Sequence, residues 1–319
     1  MLAPSQPAML RQARTGHCTN QGRWIDSPML TRRNQRTLAN TAVVEGFGYW
    51  TGKDVRVEFR PAPENTGLVF VRADLSPPQR IPALVEYRIE APRRTTLRCG
   101  RGSVEMVEHI LAALAGLQID NCEIWVDNVE MPGCDGSSLA FVQALDEAGI
   151  VEQDAPRACL VLRDTCRMGD ANSWIEAHPA TQAGFTVKFR LDYGRDNAIG
   201  RQTLEMRITP DTFRRELAPA RTFLLKAEAE WLRSQGLGTR ATLQDLLVFD
   251  ENGPIDNTLR FPDECVRHKV LDLVGDFALA GCDIVGYAVA HRSGHRLSAE
   301  LVRSLLSEGE LHSDWRRSA

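Results

Sequence analysis

The sequence predicts an α+β fold in two similar domains, and three observations predict it. Segments in which apolar and polar residues alternate, as in half-buried strands, are interleaved with segments whose apolar residues recur at helical spacing. The pattern starts again near residue 156, which divides the chain into an extension over 1–34, a first domain over 35–156 and a second over 157–319. The chain has 319 residues, 43% of them hydrophobic, enough to build two ordinary cores.

Residues 1–34 carry Pro4, Pro7, Gly16, Gly22 and Pro28 among Ser, Gln, Asn and Arg, without an apolar period, and read as disordered. Met29 offers an alternative start, which mass spectrometry of the natural protein would settle. From Arg36 the chain becomes regular. Val55, Val57 and Phe59 alternate with Arg56, Glu58 and Arg60 after a Gly-rich turn over 46–52, and Leu68 to Val71 follows Asn65-Thr66-Gly67; these read as hairpin strands. Met106 to Leu117 has helical spacing, Cys122-Ile124-Val126 is a strand, and Ser137 caps a helix running to Gly149. In the second half, strands are predicted over Cys159 to Arg163, Phe185 to Tyr193, Leu204 to Ile208 and Leu246 to Phe249. Thr209-Pro210 opens one helix, and another follows Ala220-Arg221-Thr222-Phe223. In that second helix Leu224, Leu225, Ala227, Trp231 and Leu232 make an apolar face, and Phe223, Lys226, Glu230 and Arg233 share another. A buried helix starts at Pro262 and ends before Gly281, with Val266, Val270, Leu273, Val274 and Phe277 in phase. A strongly apolar strand, Ile284 to Ala290, then runs into His291-Arg292-Ser293-Gly294-His295.

A formal charge of −4 and a pI near 6.0 argue against a nucleic-acid or anionic-membrane surface, so the expected partner is a small molecule. The cysteines at 18, 99, 122, 134, 159, 166, 265 and 282 include no Cys-x-x-Cys pair, as expected for scattered buried thiols in a reducing compartment. No apolar run approaches the ~18 residues of a membrane span, and the start lacks the order of a signal peptide. A cytoplasmic monomer is expected.

Three separated pieces carry chemistry. His268 and Asp272 are four apart and lie on one helix face, with Asp276 a further turn along; such a pair suits zinc, but by itself is more often a solvated or salt-bridged pair. Glu108-His109 opens the helix of the first domain, and His295 follows a glycine at the end of the apolar strand. Two imidazoles and a carboxylate make a zinc set, a neighbouring Glu can take a proton, and a further His can donate one: the parts of a hydrolase. Each piece alone favours a structural reading, and spacing cannot bring the three together.

From Arg36 to Leu306 the chain resembles the zinc-dependent UDP-3-O-acyl-N-acetylglucosamine deacetylase family of lipid A synthesis. The resemblance is carried by Thr51-Gly52-Lys53 with Arg60-Pro61-Ala62-Pro63, by Val107-Glu108-His109 with Ala112-Ala113-Leu114-Ala115-Gly116, by Ile119-Asp120-Asn121 and by Asp135-Gly136-Ser137. It continues in Ala220-Arg221-Thr222-Phe223, in Val266-Arg267-His268-Lys269-Val270-Leu271-Asp272 with Gly275-Asp276, and in Ser293-Gly294-His295. The resemblance implies that His109, His268 and Asp272 bind Zn2+ and that Glu108 is the general base. It implies that His295, held by Asp276, protonates the amine or stabilises the oxyanion. Thr222 then donates to the oxyanion, and Lys269 and Phe223 contact an acylated UDP-amino-sugar. It also implies helices sandwiched between two β-sheets, with the metal cleft at the domain interface.

The chain departs from the family's pattern at three places. Trp50 stands where the Gly-rich turn usually has His, Ser173 stands where a lysine commonly meets the diphosphate, and Arg240-Ala241 replaces Gly-Gly in the insert beside the acyl passage. Arg292, Arg195 and Arg201 lie in segments able to replace the missing lysine. Two alternatives therefore stay open: a diverged paralogue that deacetylates another N-acetyl sugar or amide, and a catalytically silent binding protein of the same fold.

Overall fold

A computed structural model describes residues 33–308 and 310–312. The expected disorder up to residue 32 and the alternative start at Met29 lie outside these residues. Arg33 and Asn34, assigned to the extension from sequence, belong to the fold: Asn34–Leu38 is a strand antiparallel to Ile150–Pro156.

The fold is α+β, with helices between two large sheets. The first sheet has five strands, in the order Ala42–Phe47, Asp54–Pro61, Cys122–Val126, Leu68–Arg72 and Gln79–Pro82. Its inner face is the alternation read from sequence: Val55, Val57 and Phe59 are buried while Arg56, Glu58 and Arg60 form an outer charged row. Asp54–Pro61 and Leu68–Arg72 each form a hairpin, but with different partners, Ala42–Phe47 and Gln79–Pro82. Cys122–Val126 lies between them, antiparallel to one and parallel to the other. The second sheet has seven strands centred on Asp283–His291, which runs parallel to Phe185–Asp192 and Cys159–Val161 and antiparallel to Trp174–His178. Among the described residues, no strand of one sheet pairs with a strand of the other.

The helices are α1 (Glu108–Gly116), α2 (Leu139–Ala148), the single turn α3 (Pro210–Thr212), α4 (Lys226–Ser234), α5 (Glu264–Ala278) and α6 (His295–Glu308). Helix α2 leans on the first sheet through Phe141 against Phe59, and α5 on the second through Phe277 stacked 5.3 Å from Phe185. Between them α1 is buried all round, Ala115 alone being partly open, which a helix tolerates only when its whole surface is apolar or paired. Helices α1 and α5 touch backbone to backbone at Gly275, where a Cβ would lie 2.1 Å from the carbonyl oxygen of Glu108.

Local boundaries differ from the sequence reading for identifiable reasons. Helix α5 starts at Glu264 rather than Pro262; Asp263 occupies the cap position, and its carboxylate is held by Arg267 at 2.6 Å. Phe223–Leu225 is a strand parallel to Leu247–Asp250, so α4 begins only at Lys226. The expected apolar helix face is thereby broken: Leu224 and Leu225 belong to the strand, and Trp231 is exposed while Leu232 is buried. Ser138 is the cap of α2, and its hydroxyl donates to the His109 carbonyl at 2.8 Å; Ser137 accepts from the Leu139 N–H. None of the described cysteines is disulfide-bonded, and no described helix is long and apolar enough to cross a membrane.

Candidate active site

The first turn of α1 delivers two adjacent side chains to the centre of the molecule. His109 turns its Nε2 toward Asp272, and Glu108 points the other way, accepting the Thr95 N–H at 3.0 Å. Burial raises the pKa of Glu108, and the facing His295 and His109 pull it back. From α5, one turn separates His268 from Asp272. Asp272 Oδ1 is 3.5 Å from Nε2 of both His109 and His268, and the donor atoms of the three residues lie within 4.8 Å of one another.

The surroundings suit this trio to holding a metal. Nδ1–H of His268 donates to the Ala220 carbonyl at 3.1 Å, which fixes the tautomer and leaves the Nε2 lone pair facing inward. Burial lowers its pKa to about 3, so the ring is neutral at pH 7, as a ligand must be. Burial opposes ionisation of Asp272, but Lys269 and His268 outweigh it and hold the group well below the usual carboxylate range. Lys269 Nζ takes the other carboxylate oxygen, Oδ2, at 2.6 Å. Two imidazoles and one ionised carboxylate, with His268 and Asp272 oriented from behind, fit a divalent metal with further positions open.

Opposite stands His295, the first residue of α6. Its Nδ1–H is 2.9 Å and 3.0 Å from the two oxygens of Asp276, and its Nε2 is 3.9 Å from Glu108 Oε1. Burial alone would lower the pKa of this imidazole; Asp276 and Glu108 outweigh it and raise it to about 9. Thr95 joins the two carboxylates, its N–H on Glu108 and its hydroxyl on Asp276 at 2.7 Å. These groups open into a cavity of about 1170 Å³.

A sequence model of the family described as LpxC, UDP-3-O-acyl N-acetylglycosamine deacetylase, matches residues 35–307. The chain belongs to the LpxC family. It is 39% identical over 278 residues to the UDP-3-O-acyl-N-acetylglucosamine deacetylase of Myxococcus xanthus, covering 86% of this chain and 87% of that protein. It is 39% identical over 282 residues to the protein of the same name from Thermosynechococcus vestitus, covering 88% and 96%. Against the bifunctional enzyme LpxC/FabZ of Chlorobaculum tepidum, identity is 37% over 299 residues, covering 85% of this chain and 64% of that protein.

Within this LpxC-family chain, the cavity collects most of the residues singled out from sequence. Glu108, His109, His268, Asp272 and His295 form its floor; Thr222, Phe223, Lys269 and Arg292 line it, and Asp276 stands behind His295. Phe223 sets its ring against His268, centroids 6.2 Å apart. Arg292 is exposed at the mouth with a left-handed φ of 49°. Of the residues at which the chain departs from the family pattern, Trp50, Ser173 and Ala241 line the cavity, whereas Arg240 does not. Arg201 lines it too, whereas Arg195 does not. Lys226, Glu230 and Arg233 of α4 all face the cavity, which their helical spacing had grouped together.

Two contributors escaped the sequence reading. Thr95 lies in a short loop before a strand, with no pattern to mark it. Arg221 was read only as part of a motif; its guanidinium is buried against Glu264 at 2.8 Å and also holds the Thr258 carbonyl at 2.7 Å. This clamp ties the segment 220–222 to the first turn of α5 and so sets the carbonyl that orients His268.

Proposed function

We propose that this protein is a zinc-dependent amidohydrolase that removes acetate from a UDP-3-O-acyl-N-acetylglucosamine, the substrate its relatives are named for. The observation that carries this reading is the convergence of the His109, His268 and Asp272 donors with Glu108 on one side and the His295–Asp276 pair on the other. In this reading His109, His268 and Asp272 hold the zinc. When bound, zinc supplies a Lewis acid that polarises the amide carbonyl and makes water acidic at neutral pH.

Glu108 then accepts the proton of the attacking water, with Thr95 keeping the carboxylate in place. His295, charged and oriented by Asp276, donates to the leaving nitrogen. The C–N bond breaks, the new C–O bond forms, and acetate and the free amine leave. Thr222 serves as a donor to the oxygen that gains negative charge, while Lys269, Phe223 and Arg292 contact the substrate. We further propose a monomer acting in the cytoplasm, a setting in keeping with described thiols that are not disulfide-bonded.

The test is acetate release from the UDP-linked substrate together with metal content. His109→Ala and His268→Ala should lose bound metal and activity together, whereas Glu108→Ala should keep the metal and lose at least a hundredfold in kcat. Full activity in Glu108→Ala with the metal still bound would overturn the assignment.

A further inference from the structure

The cavity has a second end, away from the catalytic floor, that the proposed chemistry does not use. There it runs beneath α4 between buried Leu232 and Val248. Beyond it lies a more open cavity of about 690 Å³, edged by Thr239, Arg240, Gln244 and Asp256. Four residues, Arg233, Ala241, Thr242 and Leu243, line both. At this junction Arg233 reaches from the last turn of α4 and donates through Nη2 to the Ala241 carbonyl at 3.0 Å. The two cavities therefore meet at a hydrogen-bonded cation.

We propose that the Arg233–Ala241 bridge is a length stop for the acyl chain of the substrate. The proposal rests on the acylated-sugar reading above and names the residue that sets acyl length. An acyl chain that ends short of the bridge can lie against Leu232 and Val248, where each added methylene is worth at most about fourfold in kcat/KM. A chain one or two carbons longer must part the guanidinium from the carbonyl and lay apolar surface against a hydrated cation. It loses what the earlier methylenes gained. Arg233 as a whole is exposed, so its stem can follow the wall while the hydrogen bond to Ala241 holds the head at the junction.

The experiment is kcat/KM for acetate release across UDP-3-O-acyl-N-acetylglucosamines lengthened two carbons at a time, with the intact chain and with Arg233→Met. Methionine keeps an apolar stem and removes the donor. The wild type should rise to an optimum and then fall at least tenfold over the next four carbons. Arg233→Met should move the optimum at least two carbons longer and leave the shortest chains within twofold. A wild-type profile that levels off without falling, or an optimum unmoved in Arg233→Met, would overturn the length stop. Absence of acetate from every chain length in the wild type would instead overturn the deacetylase reading. Calorimetric affinities of the same series would then carry the test, with the same optimum and the same shift expected.

Discussion

His268 and His295 are both imidazoles in one cavity wall, yet their surroundings move them in opposite directions. His268 is buried with only a carbonyl on its Nδ1, so desolvation lowers it to about 3 and it stays neutral. For His295 the same desolvation is outweighed by Asp276 and Glu108, and it holds its proton up to about 9. A group that must be protonated to act loses its contribution as pH rises through its pKa. A cation held by the neighbouring trio lowers that pKa, so the basic limb of kcat/KM should fall at or below about pH 9. The acid limb follows Glu108, which must be ionised to accept a proton and which burial has raised. The expected profile is a bell whose two pKa values belong to the coupled site. His295→Ala should cut kcat by roughly 10²–10⁴ and abolish the basic limb; a limb unchanged in that variant would assign the acid to another group.

At the scale of elements, the site depends on how closely α1 and α5 approach. Gly275 allows it: an added Cβ would meet the Glu108 carbonyl at 2.1 Å and the Ala112 nitrogen at 3.2 Å. Helix propensity alone favours Gly275→Ala by about 1 kcal/mol, but overpacking of this kind typically costs about 1–3 kcal/mol and sometimes more. The contact here is backbone to Cβ and cannot be relieved by a rotamer change. Gly275→Ala should therefore lower stability by about 1–3 kcal/mol and reduce kcat, because the turn that must move carries Glu108 and His109. Urea midpoints and kcat measure the two effects; a gain in stability would show that the helices have room to spare. Helix α4 illustrates the opposite case, a helix with a single buried residue, Leu232. Leu225 leads into it from a strand, and its charged residues face a cavity rather than a neighbouring helix.

At the scale of the whole molecule, Arg33 joins segments far apart in sequence. It forks onto Asp120, just after α1, at 2.6 and 2.8 Å, and onto Asp283, at the start of the central strand of the second sheet, at 2.7 and 2.8 Å. Arg157 reinforces both carboxylates. Asp120 is almost fully buried, so Arg33→Ala leaves it with Arg157 and the Arg36 N–H in place of three partners and should cost about 1–3 kcal/mol. A urea midpoint within experimental error of wild type, at an unchanged denaturant slope, would show that Arg157 and the Arg36 N–H suffice. The sequence by itself determined the elements with strong periodicity, among them Asp54–Pro61, α1, α5 and Asp283–His291, because an alternating or helical stripe of apolar residues has one way to meet a core. It also determined which residue types stand on each: His268 and Asp272 share a face whatever surrounds them. Only the tertiary structure decided that Glu108-His109 meets that face and that His295 returns beside it. Two helices more than a hundred residues apart in sequence meet through packing, which no local pattern encodes. The same holds for strand order, where Cys122–Val126 enters between two hairpins, and for Thr95, whose two hydrogen bonds exist only once α1 and α5 are in contact.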